Sequence, residues 1–109
     1  TSEVEGGRHF FIRQEHKMLK LRLASILYIE SFREYVHIHT KAQKYVIKKS
    51  LTAMEEKLPQ KEFMRVHRSF IVCLNSIDGW YGNTLQLANH EVPIGKSYRE
   101  GLIKLLAPL

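Results

Sequence analysis

Cysteine is almost missing from this chain: Cys73 stands alone among 109 residues. No internal disulfide can form, which fits a reducing compartment such as the cytoplasm. No stretch approaches the ~18 consecutive apolar residues that a membrane-spanning helix requires. Thr1 to Gly7 shows no basic segment leading into an apolar run, so no export signal is expected there. Acidic residues are the minority charge, and no Cys-x-x-Cys pair, Gly-x-Ser-x-Gly elbow, internal repeat or low-complexity segment occurs. These absences exclude a disulfide scaffold, a zinc ribbon and the common hydrolase nucleophile.

What is present is an ordinary globular composition, 44% hydrophobic and 26% charged, in a length suited to one domain. Seventeen Lys and Arg against 11 Asp and Glu leave a formal charge of +6. A small domain so charged suits a polyanion, nucleic acid first and an acidic membrane surface second. The cations are grouped. Lys41, Lys44, Lys48 and Lys49 fall together without an acid among them; Lys61, Arg65, His67 and Arg68 form a second group; Lys96 and Arg99 form a third. No Lys or Arg lies between Ser69 and Gly95.

Hydrophobic periodicity predicts a chain of short strands. Residues 1–8 read as a linker or a remnant foreign to the domain, which occupies 9–109. His9 to Arg13, Met18 to Arg22, Tyr35 to Thr40 and Thr84 to Leu87 alternate apolar and polar residues, as half-buried strands do. Ile26 to Ile29 is nearly all apolar and reads as a central strand, broken at Glu30-Ser31-Phe32-Arg33-Glu34. A turn at Lys41 to Gln43 precedes a strand over Lys44 to Lys48. Ser50 is placed to cap a helix carrying Leu51, Met54 and Leu58 and ended by Pro59. Phe63 to Val66 is a short strand, while Ser69 to Leu74 fits a buried strand or a helical turn equally. Ile77 to Tyr81 leads through a Gly82-Asn83 hairpin turn, and a second turn at Asn89-His90 leads to Glu91 to Ile94. Pro93 confines that strand to an edge or a bulge. Ser97, with Glu100 three residues on, has the spacing of a capping box for a last helix whose buried stripe would be Tyr98, Leu102, Leu105 and Leu106, weakened by Gly101 and closed by Pro108.

Few constellations suit catalysis. Gly95-Lys96-Ser97 has His90 where a nucleotide-binding loop needs a second glycine, so only a helix start favourable to an anion survives. His37 and His39 share a strand face, but no clustered carboxylate is evident to complete a metal site. His67, Ser69 and Asp78 make a triad only on paper, and Cys73 between Val72 and Leu74 reads as inert core. No enzyme activity, cofactor or metal is expected. The informative pattern is basic and polar residues at joints between strands: Ser31 to Glu34, His67 to Ser69, and Lys96 to Arg99. Loops presented side by side by rigid β elements can set Arg tips against guanine edges and Lys or Ser against phosphates. No basic stretch is long enough to be a groove-reading helix.

Ile26-Leu27-Tyr28-Ile29-Glu30-Ser31, Tyr35-Val36, Phe63 through Val72, and Ile94-Gly95-Lys96-Ser97-Tyr98-Arg99 resemble, in order and spacing, the signature of the LytTR (LytR/AgrA-type) DNA-binding domains of bacterial response regulators. The resemblance extends from about Phe10 to Leu106. It implies a mainly β fold, an elongated sandwich of antiparallel sheets with two short helices, whose loops enter DNA grooves. It also implies a two-component output domain preceded by a receiver domain, with a second copy on repeated half-sites of double-stranded DNA. The chain would then be an isolated C-terminal fragment of a cytoplasmic regulator. Carried over by position, the DNA-binding residues are Arg33 and Glu34; Arg65, His67, Arg68 and Ser69; and Lys96, Ser97 and Arg99, with Lys48 and Lys49 as further phosphate contacts. Arg68 would face DNA while His67 could brace its loop, and Arg99 is the foremost base reader. Many members carry Gly-Asn where this chain has Arg33-Glu34; Glu34 would repel phosphate unless it accepts from a cytosine amino group or pairs with Arg33. Two readings from other classes stand beside this one. One is a protein- or membrane-interaction module using the same basic face. The other is a single-stranded RNA binder, which would need Tyr35 and Tyr45 as a stacking pair on one sheet face.

Overall fold

The computed structural model describes residues 8–107. Ten strands and two helices follow in the order β1 (His9–Gln14), β2 (Lys17–Arg22), β3 (Ile26–Phe32), β4 (Tyr35–Thr40), β5 (Lys44–Ile47), α1 (Leu51–Lys57), β6 (Phe63–His67), β7 (Phe70–Cys73), β8 (Gly79–Tyr81), β9 (Thr84–Leu87), β10 (His90–Pro93) and α2 (Lys96–Leu106). Every strand pairing is antiparallel. The expected sandwich is therefore present, as three sheets: β1-β2, a central β5-β4-β3-β7-β6, and a β10-β9-β8 meander. Residues 1–7, and with them nearly all of the expected linker, lie outside the described residues, as do Pro108 and Leu109.

The central sheet is apolar on both faces, and each face has its own core. Ile26, Ile29, Val36, Ile38, Ile71 and Cys73 pack against Ile12 and Leu21 of the β1-β2 hairpin and Leu51, Met54 and Leu58 of α1. On the other face Leu27, Tyr28, Val66 and Val72 meet Leu85, Leu87 and Val92 of the meander and Leu102 of α2. Two bulges make this division possible. Between Ile26 and Tyr28 the β3-β4 register shifts, so that Leu27 and Tyr28 both face the second core. A second shift between Arg65 and His67 does the same for the end of β6.

The alternating segments became strands with their apolar sides buried, as their pattern requires: Leu85, Leu87 and Val92 are wholly buried. Ser50 caps α1, its Oγ accepting from Ala53 N at 3.0 Å. Thr40, buried among apolar neighbours, closes the turn after β4 by accepting from Gln43 N at 3.0 Å and donating to Gln43 O at 2.6 Å. Pro93 lies on an edge strand, where its missing N–H costs nothing.

Several expectations are corrected. Strand β3 does not break at Glu30 but runs to Phe32, because hydrogen bonding to β4 on one side and β7 on the other carries it through its polar end. Of the run from Ser69 to Leu74, Phe70–Cys73 resolves as strand β7, while Ser69 belongs to the turn before it and Leu74 opens a 3-10 turn after it. The last turn lies at Ala88-Asn89, with Ala88 at φ 54°, and His90 belongs to β10. Helix α2 starts at Lys96 with Gly95 as its N-cap and no side-chain cap, so Ser97 and Glu100 do not form the expected box. Leu105 is 58% exposed and leaves the buried stripe to Leu102, with Leu106 packed at its margin. Tyr45 pairs with Ile38 and packs on the first core, whereas Tyr35 lies three residues from Ile38 and so on the opposite face. The two tyrosines cannot form one stacking platform.

Candidate nucleic-acid interface

One end of the central sheet gathers the hairpin tips. The β3-β4 turn consists of Arg33 and Glu34 between the paired Phe32 and Tyr35, and the β6-β7 turn of Arg68 and Ser69. Because β3 and β7 are hydrogen-bonded neighbours, these tips come from adjacent hairpins, with Ser31 N donating to Ser69 O at 2.9 Å. The start of α2 is fastened to the same place: Gly95 N donates to Val66 O at 2.7 Å. A side chain at 95 would have its Cβ 2.9 Å from Tyr98 Cδ2 and 3.4 Å from the His67 Cα. The absent side chain is what lets the third loop sit against the second. His67, Arg68, Lys96, Ser97 and Tyr98 consequently line one shallow depression.

The sequence-predicted residues divide by what their side chains touch. Arg33, Glu34, Arg68, Lys96 and Ser97 are exposed. Arg33 sits at φ 60°, a left-handed conformation that disfavours any residue with a Cβ, and its guanidinium lies 5.6 Å from the centre of the Phe32 ring. Arg65 is differently placed. Its side chain is 19% exposed and bonds Glu55 at 2.9 Å, Thr52 at 3.4 Å and the carbonyls of His67 and Arg68 at 3.3 and 2.5 Å. It braces the second tip from behind and has little left to offer a ligand. His67 accepts from Ser69 N at 3.1 Å through Nδ1 and packs edge-on against Phe70, bracing the turn from within. The same contact, with Asp78 accepting from Ala88 N at 2.8 Å, dissolves the paper triad of His67, Ser69 and Asp78.

Arg99 lies on the first turns of α2 and donates to the carbonyl of Gly82 at 3.2 Å. That carbonyl belongs to the β8-β9 turn, which is itself tied to the third loop where Ile94 N donates to Asn83 O at 2.7 Å. The sequence pattern did not connect Arg99 with this turn; only the tertiary hydrogen bonds do. Lys48, exposed, and Lys49, half-buried, follow β5, whose last paired residue, Ile47, lies opposite Val36. They therefore flank the end of the sheet that carries the Arg33-Glu34 tip. Phe32, which the sequence places within the first loop without a role of its own, stands 52% exposed beside that tip.

The histidine pair needs a further correction. Glu30 pairs with His37 across β3-β4, so a carboxylate does stand beside His37 and His39. Burial pushes the His39 imidazole below its ordinary pKa, with Glu30 opposing that shift.

The fold and its tips define a class of small, all-antiparallel β domains with exposed arginines on adjacent hairpin turns. Comparison with known proteins gives the family: the LytTr DNA-binding domain description matches residues 16–107, and the chain belongs to that family. It is 36% identical over 98 residues to the sensory transduction protein LytT of Bacillus cereus, an alignment covering 84% of this chain and 40% of that protein. It is 31% identical over 91 residues to the transcriptional regulatory protein YpdB of Escherichia coli K12, covering 77% and 37% respectively. The chain thus spans about two fifths of the length of the curated relatives it matches. A solved LytTr DNA-binding domain, from a Bacillus cereus protein described as a methyl-accepting/DNA response regulator, superposes with a TM-score of 0.80 at 26% identity, covering 92% of this chain and 97% of that one. Among the described residues no helix is long and apolar enough to cross a membrane.

Proposed function

We propose that the domain recognises specific sequences in double-stranded DNA through its hairpin tips and the start of α2, as the output part of a two-component transcriptional regulator acting in the cytoplasm. The observation that carries this reading is the backbone linkage of the three loops, Ser31 to Ser69 and Val66 to Gly95, which fixes their spacing before any ligand arrives. Adjacent hairpins of one sheet are two strands apart, so their tips stand about 10 Å from each other. A B-DNA major groove is ~12 Å wide, so two such tips can follow its floor and one wall. In this arrangement Arg33, Arg68 and Arg99 are the base-reading candidates, since a guanidinium can meet guanine O6 and N7 with two donors. Lys96, Ser97, Lys48 and Lys49 hold phosphates, helped by the free N–H groups at the start of α2. Arg65 and His67 serve as supports for Arg68 and Ser69 rather than as readers. Glu34 is a negative element at the first tip, disfavouring phosphate and favouring an exposed cytosine amino group. A second copy on a neighbouring half-site would double the contact, and the names of the relatives support a regulator whose signal is received elsewhere in the polypeptide.

Selection of bound fragments from a random duplex pool tests the whole reading, reporting sequence preference and half-site spacing together. On the selected site, Arg99→Ala should cost ~1–3 kcal/mol and relax the preference at a single base pair. A pool that stays random after selection would refute sequence-specific recognition. Equal loss on every sequence for Arg99→Ala would leave DNA binding intact but make that residue a phosphate contact.

A further inference from the structure

We propose that Glu30, His37 and His39 form a binding site for a divalent transition-metal ion of the zinc type, independent of the DNA-reading tips. Alternation places the two histidines on one face of β4, and the pairing of Glu30 with His37 brings the carboxylate to the same face from β3. One ligand atom from each of the three lies within 4.8 Å of the others. The ligand atoms of a tetrahedral zinc site are about 3.3 Å apart, so modest side-chain rotation closes the set around an ion. Glu30, with 35% of its side chain exposed, has room to make it.

A second observation separates this cluster from an incidental grouping of polar side chains. His39 Nε2 is buried and has no hydrogen-bond partner among the described residues. Its nearest anion, Glu30 Oε1, stands 3.4 Å away without the alignment of a hydrogen bond. A buried lone pair or N–H left in this state is costly, and coordination of a metal satisfies it. The imidazole plane is also held in advance. Tyr28 stacks on His39 with ring centres 4.2 Å apart and planes 12° from parallel, and Phe32 packs beside His37 at 5.4 Å. Two imidazoles and one carboxylate select zinc, cobalt, nickel or copper over magnesium and calcium, which take mainly oxygen ligands. Three protein ligands leave a position for water. The ion would join β3 to β4 within a few residues of the Arg33-Glu34 turn, clamping the hairpin that carries the first tip.

Metal-stripped domain titrated with Co²⁺ should develop visible absorption that saturates at a single equivalent, and Zn²⁺ should displace the Co²⁺. Glu30→Gln and His37→Gln should each weaken binding at least ~10-fold, while His16→Gln, in the exposed β1-β2 turn, should leave it unchanged. Metal-free unfolding curves of the variants establish that they fold. In the unsubstituted domain, Zn²⁺ should shift the ring-proton NMR signals of His37 and His39 and leave those of His16 and His67 in place. Absence of saturable binding, binding unaltered by both site substitutions, or NMR shifts confined to other histidines would each overturn the proposal.

Discussion

Replacing Arg33 separates what the first tip does from what it costs the fold. Its φ of 60° puts a residue with a Cβ where glycine is favoured, at roughly 1–2 kcal/mol. Arg33→Gly removes that strain but adds unfolded-state freedom worth about 0.5–1 kcal/mol. Arg33→Ala keeps the strain. Both lose the contact with the exposed Phe32 ring, worth about 0.5 kcal/mol at such a site. The glycine variant should therefore be more stable than the alanine variant by about 0.5–1 kcal/mol, a few degrees in Tm for a domain of this size. On DNA the two should behave alike. If the guanidinium reads a base, each loses ~1–3 kcal/mol of affinity for the selected site, roughly 5- to 150-fold in Kd. Thermal unfolding and fluorescence anisotropy with the selected duplex supply the two readouts. A glycine variant less stable than the alanine variant refutes the strain argument. A glycine variant that binds as tightly as the parent refutes the assignment of Arg33 to the interface.

Gly95→Ala forces Tyr98 or the His67 backbone to move, so it should cost ~1–3 kcal/mol in urea denaturation and weaken DNA binding by spreading the second and third loops. Lys96→Gln should weaken binding by a similar factor on all sequences and make the log–log salt slope shallower by about one, seen in titrations at several salt concentrations. Ser50→Ala removes the cap of α1 and should cost about 1 kcal/mol in urea denaturation, while lowering the DNA affinity of the folded domain far less than Arg99→Ala does.

Much of the fold was legible in the sequence because most strands have one dry and one wet face. Tyr35 to Thr40 and Thr84 to Leu87 announce themselves by alternation, Gly82-Asn83 by turn chemistry, and Ser50 by its position before an apolar 3–4 repeat. Legibility failed where local pattern yields to tertiary pairing. The end of β3 is polar yet hydrogen-bonded on both sides, so Glu30 and Ser31 look like a loop and are not. Ala88 adopts a left-handed turn conformation with none of the residues that advertise one, which moved the expected turn by one position. At the interface, grouping of charge found the tips but not the division of labour. Arg65 and Arg68 are three residues apart in sequence, and only the bonds of Arg65 to Glu55 and to the Arg68 carbonyl show that one supports the other. The partnership of Glu30 with the two histidines likewise depends on β3-β4 register, which no spacing within either strand reveals.

The extra residue at Leu27 has a consequence for how this domain tolerates evolution by insertion and deletion. Ile26 and Tyr28 pair with the consecutive residues Thr40 and His39, so the offset is absorbed at that one position, where Leu27 and Tyr28 share a face. Loss of Leu27 would restore plain alternation, keeping Tyr28 toward the meander and Ile29 toward α1, and would remove one buried side chain from the second core. Loss of a paired residue such as Ile29 would instead turn over every side chain from there to Arg33 unless β3 slid to compensate.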